Sequence, residues 1–294
     1  LRGALLNRLA QAQPTPAQRQ AAGWVRECHG DLHLGNLATW KGAVLAFDAL
    51  EFDPALRHID VMSDLAFVFM DLLAHGLPAL AWRLVNRHVE HTGDFAGLPL
   101  LPALAAYRAL VRAKVALLSP EGSGEFTRYW PLAQQLLHTP GPQMVLTMGL
   151  SGSGKSTLAL MLAERLGAVR VRSDVERKRL FGLAPTARHA STLAPPLGMY
   201  TQEATERTYA RLGELAHGLL VGGLSVVVDA ACLRQHERAA LRALAQSCDA
   251  GFVLVNCEAS TEVLQSRITQ RQAAGNDASD ATLAVLELQQ RVIE

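Results

Sequence analysis

Eight residues, Gly149-Leu-Ser-Gly-Ser-Gly-Lys155-Ser156, fit the spacing G-x-x-x-x-G-K-S/T in full. That spacing suits a nucleotide phosphate. Glycines let successive backbone N–H groups turn inward around a β-phosphate. Lys155 can then reach the β- and γ-phosphates, and the Ser156 hydroxyl can ligate Mg²⁺. The expected phosphate contacts run through Gly149, Ser151, Gly152, Ser153, Gly154, Lys155, Ser156 and Thr157. Lys155 is one of only four lysines in the chain, with Lys41, Lys114 and Lys178, so its place in this motif is informative. The ligands this implies are ATP and Mg²⁺.

Four further residues complete a candidate phosphotransfer site. Val226-Val-Val-Asp229 is an apolar run ending in a carboxylate, which could hold the Mg²⁺ hydration shell or cap the next turn. Asp174 follows the run Val169–Arg172. It could take the proton of an acceptor hydroxyl, or Ser173 or Asp174 could cap the next helix; the two roles are compatible. Arg267 and Arg271, four apart, share a helix face. They could close on a transferring phosphoryl group as a lid, or simply be solvated. The basic cluster Arg170, Arg172, Arg177, Lys178 and Arg179 is partly offset by Asp174 and Glu176; it could bind an acceptor phosphate, but is expected to be a solvated surface.

The first half carries a different constellation. His29-Gly-Asp31-Leu-His-Leu-Gly-Asn36 fits H-x-D-x-x-x-x-N, and Asp48 follows a strand-turn pair. In this pattern Asp31 would accept a hydroxyl proton while Asn36 and Asp48 hold Mg²⁺. Asp60 and Asp64 follow on a predicted helix, from which a carboxylate can buttress the loop. His29 and His33 lack a third ligand at a suitable spacing, so a histidine metal site is not expected.

The elements that must position these residues fall into two sets. Residues 1–23 read as a helical remnant followed by a Pro/Gln/Ala-rich connector from Gln11 to Gln20. Trp24–Cys28 is a short strand, Leu37–Trp40 and Ala43–Phe47 a hairpin about Lys41-Gly42, and 60–75, 78–92 and 101–118 are helices. Gly/Pro-rich breaks at Ser119–Gly124 and His138–Pro142 place a boundary near 140, dividing the chain into 1–23, 24–140 and 141–294. Beyond it, runs at Met144–Met148, Val169–Arg172, Leu224–Asp229 and Phe252–Asn256 alternate with helical stretches. This alternation implies a parallel sheet with helices on both faces.

Composition bounds the rest. With 294 residues, 49% hydrophobic and 19% charged, the chain can bury a sizeable core in about two domains. Its 28 basic and 27 acidic residues give a net charge of +1, so the basic excess of a nucleic-acid or anionic-membrane binder is missing. No apolar run approaches the roughly 18 residues that span a bilayer. Cys28, Cys232, Cys248 and Cys257 show no C-x-x-C spacing, which fits a reducing cytoplasm. The chain begins with Leu rather than Met, so its start is expected upstream.

The second half resembles the P-loop kinases of small molecules, a group that includes shikimate-, gluconate- and polynucleotide-kinase-like proteins. The loop at 149–157, Arg172-Ser-Asp174-Val-Glu-Arg177-Lys178, Val-Val-Asp229-Ala-Ala-Cys and Arg267-Ile-Thr-Gln-Arg271 before Asp277 carry the resemblance. In that group a fifth strand follows the lid, whereas this chain stops at Glu294 in a helix, so the domain is expected to be truncated or to end early. The segment 24–118 resembles the aminoglycoside-phosphotransferase and choline-kinase-like family, through the loop at 29–36, Phe47-Asp48-Ala-Leu-Glu51 and Asp60-Val-Met-Ser-Asp64. The pairing looks like bacterial fusions described as bifunctional phosphotransferase/ATP-binding proteins. That resemblance implies a mostly helical kinase C-lobe ahead of a P-loop domain. The Gly-rich loop and phosphate-binding lysine of an upper lobe are not among the residues before Asp31.

The expectation is an α/β cytoplasmic phosphotransferase, using ATP and Mg²⁺ on a small-molecule hydroxyl, with no nucleic-acid or membrane partner and an open oligomeric state. A P-loop ATPase switch and a non-catalytic nucleotide-binding module are its alternatives.

Overall fold

The computed structural model describes residues 1–11, 14–119, 123–138, 140–185, 199–274 and 277–294. The chain divides into two compact units, Leu1–Val85 with Asp94–Pro140, and Asn86–Gly93 with Gly141–Glu294.

The first unit is mostly helical. Its helices are α1 (Arg2–Gln11), α2 (Pro16–Ala21), α3 (Pro54–Arg57), α4 (Val61–Ala74), the start of α5 (Pro78–Thr92), α6 (Leu101–Leu118) and α7 (Ser123–Leu137). Strands β1 (Val25–Glu27) and β4 (His58–Asp60) pair antiparallel, as do β2 (Leu37–Trp40) and β3 (Ala43–Ala46). Lys41 and Gly42 both take positive φ, 49° and 79°, as a two-residue hairpin turn of twisted strands requires. Helix α4 is buried from Met62 to Leu72 and packs against α6 and α7.

Four elements differ from the sequence reading. Helix α3 and strand β4 were not expected, and Asp60, read as helical, ends β4 and caps α4 with its side chain on the Met62 N–H. The expected connector before residue 20 contains α2, because Thr15 and Gln18 form a capping box and Pro16 opens the helix. Helix α7 was not expected, and Pro131 lies inside it. Burial of Tyr129, Ala133 and Leu137 outweighs the proline.

The second unit is a four-stranded sheet of order β6-β7-β5-β8, parallel throughout, flanked by helices. Its strands are β5 (Gln143–Met148), β6 (Val169–Arg172), β7 (Val226–Asp229) and β8 (Gly251–Asn256). The helices are α8 (Lys155–Leu166), α9 (Ser173–Leu180), α10 (Gln202–Val221), α11 (Gln235–Ser247), α12 (Thr261–Ala274) and α13 (Leu283–Val292). Val145 and Val227 pack on Ala159 and Ala163 of α8. Strand alternation leaves Met144, Leu146, Val226 and Val228 for the other face, all fully buried. The four strands run in the same direction, so their carboxyl ends gather at one edge, where ligands of open α/β sheets bind.

Candidate active site

The phosphate loop joins the end of β5 to the start of α8. Gly149 N–H donates to Ala231 O at 3.0 Å, and Cys257 N–H to Met148 O at 2.8 Å, so the loop is framed by the ends of β7 and β8. Gly149 has φ +136° and Gly152 φ +84°. A Cβ on Gly149 would run into the Cys257 carbonyl oxygen, and one on Gly152 would sit 2.7 Å from Leu264 O. Backbone presses on the loop from two sides, and only glycine fits.

Lys155 Nζ donates to Leu150 O at 2.6 Å and lies 3.4 Å from Ser153 Oγ. Burial pushes its pKa down, against the opposing pull of Asp229 and Asp174. The Ser156 hydroxyl lies 3.2 Å from Asp229 Oδ1. Asp229 is 3% exposed, and its Oδ2 makes no hydrogen bond. Burial raises its pKa, while Arg172 at 3.7 Å and Arg170 at 3.9 Å hold it down. A buried carboxylate oxygen that accepts no hydrogen bond, beside a hydroxyl, is a hard-oxygen donor pair, which fits Mg²⁺ with its retained waters. The alternative role for Asp229, a cap of the following turn, is replaced by its hydrogen bond from the Ser156 hydroxyl.

Asp174 lies in the first turn of α9. The cap position is Arg172, without a side-chain cap bond, so capping does not explain Asp174. Its side chain is 36% exposed, with Arg172 4.0 Å away. From α12, Arg267 donates to Gly152 O at 3.2 Å and Arg271 to Ala281 O at 3.3 Å.

A cavity of about 810 Å³ brings these groups together. It is lined by the loop from Ser151 to Thr157, except Ser153, and by Asp174, Asp229, Arg267 and Arg271. Arg177 of the basic cluster joins the lining, as do Tyr200, Asp277, Asp280 and Gln289, which were not read as site residues from the sequence. The basic cluster is corrected. Arg170, Arg172 and Lys178 are buried rather than solvated, paired with Glu90, Asp277 and Asp280 at 3.0, 2.7 and 3.2 Å. Those partners lie 80 to 105 positions away, beyond any local pattern.

In the first unit, Asn36 is buried and its Nδ2 donates to Asp31 O at 3.0 Å and Asp31 Oδ2 at 3.3 Å. Phe47 N–H donates to Asn36 O at 3.0 Å, which brings Asp48, at φ +61°, beside the same loop. The Asp64 carboxylate receives both the His29 and the Gly30 N–H, at 2.7 and 3.0 Å. Among the described residues no group of three His, Cys, Asp or Glu side chains is arranged to hold a metal.

Comparison with known proteins matches the second unit to a family and nearly the whole chain to longer relatives. Residues 144–294 match the model of the AAA domain. An uncharacterized protein of Mycobacterium tuberculosis (strain ATCC 25618 / H37Rv) and one of Mycobacterium bovis are each 31% identical over 279 residues, 93% of this chain and 56% of theirs. The chain therefore spans about half the length of the curated relatives it matches. Among solved structures, a gluconokinase from Sinorhizobium meliloti 1021 is 26% identical over 52% of this chain and 76% of its own, with a TM-score of 0.36. The Mycobacterium tuberculosis APS kinase in complex with AMPPNP and APS is 20% identical over 52% and 96%, with a TM-score of 0.34. With its model spanning just over half of these residues, the AAA domain family is the one to which this chain belongs.

Proposed function

We propose that the second unit is a phosphotransferase that moves the γ-phosphoryl group of ATP to a hydroxyl of a small molecule, with Mg²⁺. One observation carries this reading: a single cavity holds a phosphate loop, a buried carboxylate beside Ser156, and a separate, partly exposed carboxylate, Asp174. A carboxylate base serves an acceptor hydroxyl or an attacking water alike, so the reading turns on acceptor dependence.

The loop N–H groups and Lys155 would bind the phosphates, and Ser156 with Asp229 would hold the metal. Bound Mg²⁺ supplies charge neutralisation on the phosphate oxygens. Asp174 would take the proton as the acceptor oxygen bonds to the γ-phosphorus and the bond to the ADP oxygen breaks. Arg267 and Arg271 would stabilise the charge on the moving group. The test is a screen of hydroxyl compounds for acceptor-dependent ADP formation. Phosphate release without acceptor would favour an ATPase switch, and tight ATP binding without turnover a regulatory module.

A second reading concerns the first unit, as a kinase-like C-lobe of the aminoglycoside-phosphotransferase type. It is supported by the grip of Asp64 on two successive loop N–H groups and by the Asp31–Asn36 contact. Asp31 would be the base, and Asn36 and Asp48 the metal ligands. Added Mn²⁺ should then broaden the His29 and His33 NMR signals, and Asp48→Asn should abolish the broadening.

A further inference from the structure

We propose that Gln289 reads the terminal phosphate of the bound nucleoside triphosphate and so separates tri- from diphosphate at this loop. The proposal rests on the nucleotide reading of the same cavity and adds to it a residue that no motif marks. Gln289 lies on α13, 138 positions from the loop, and its Oε1 accepts the Ser151 N–H at 2.8 Å. A backbone N–H can only donate, so the oxygen is the end of the carboxamide that faces the loop. The Nε2 end keeps two N–H donors, and no acceptor among the described residues takes them. Gln289 and Ser151 line the cavity together with Lys155, Arg267 and Arg271.

The position along the phosphate chain follows from the loop. A β-phosphate sits against the N-terminus of α8, at Gly154 to Ser156. The Leu150–Ser151 peptide lies at the opposite end of the loop, and both its polar groups are engaged. Its carbonyl receives Lys155 Nζ at 2.6 Å and its N–H meets Gln289. Lys155 Nζ, which would reach the β- and γ-phosphates, and the Gln289 carboxamide are thus held by one peptide group, at the end of the loop away from the β-phosphate position. Lys155 and the two arginines attract any polyphosphate over several ångströms. A neutral amide donor acts only within hydrogen-bond reach, so it distinguishes a phosphate that is present from one that is not.

The experiment is calorimetric titration of the full chain with Mg-ATP and Mg-ADP, for the unsubstituted protein, Gln289→Glu and Gln289→Leu. Glutamate keeps an oxygen for the Ser151 N–H but turns a negative oxygen toward the nucleotide. It should weaken ATP about tenfold or more, the scale of a hydrogen bond to a charged group, and ADP, which lacks the nearest phosphate, by a smaller factor. Leucine should lower the ATP preference by a similar factor. The ADP affinity that remains shows that each variant is folded. Equal losses for both nucleotides would make Gln289 a mere tie between α13 and the loop, and no change would leave it without a role; either overturns the proposal. An unsubstituted protein that bound neither nucleotide would instead overturn the phosphate-loop reading, and this one with it.

Discussion

Arg172 Nη2 donates to Asp277 Oδ1 at 2.7 Å, which ties the end of β6 to the segment between α12 and α13. The same guanidinium has its Nε 3.7 Å from Asp229 Oδ2. One buried cation therefore serves the carboxylate proposed to hold the metal and the segment that follows the lid arginines. Asp277 is held below the usual carboxylate range: burial alone would raise it, but the Arg172 charge and hydrogen bond outweigh that.

Arg172→Leu is expected to destabilise the second unit by about 2–3 kcal/mol, because it leaves the buried Asp229 with only Arg170 as its cation and the half-buried Asp277 with none of its own. Urea denaturation measures this. It should also raise the already elevated pKa of Asp229, since Arg172 is the larger of its two stabilising charges. Metal binding needs the ionised carboxylate. Mg²⁺-dependent ATP affinity should thus be lost on acidification at a higher pH than an ordinary aspartate gives, and at a still higher pH in the variant. The stability sign is opposite. The folded chain holds this proton more tightly than the unfolded one, so the Asp229 contribution to stability falls as pH rises through its folded pKa.

Lys155→Ala is expected to abolish Mg-ATP binding, measured by calorimetry. Lys155 is the one lysine lining the cavity among the described residues. Because burial lowers its pKa, the unsubstituted protein should lose ATP affinity with rising pH earlier than an ordinary lysine would allow. Undiminished affinity in the variant would remove the phosphate-loop assignment.

Asp174→Asn keeps size but not basicity. It should lower kcat by about 10² to 10⁴ on an acceptor found by screening, with ATP affinity barely moved. Near-normal kcat, or a loss of ATP affinity instead, would count against the base role.

Arg19 has a fully buried side chain, bonded to Asp60 Oδ1 at 2.8 Å and to both Asp94 oxygens at 2.8 Å. Arg19→Met is expected to cost the first unit about 3–5 kcal/mol by stranding two carboxylates. A denaturation midpoint unchanged from the parent would show that water reaches the pair.

The phosphate loop, the parallel alternation and the strand-end Asp229 were legible in the sequence, because each depends on neighbours a few residues apart. Glycine spacing sets where backbone N–H groups can turn inward, and apolar runs of four to six residues mark strands whatever they pack against. Asp31, Asn36 and Asp48 were legible for the same local reason. Tertiary structure alone decided which charges are buried. Arg170, Arg172 and Lys178 look like surface residues in a run of basic side chains, yet each meets a carboxylate from a distant element. It also decided that Asp174 is not a cap, and that Gln289 of the last helix meets the loop. Chain folding brings such partners together across 80 to 138 positions, and no local periodicity records a contact at that range.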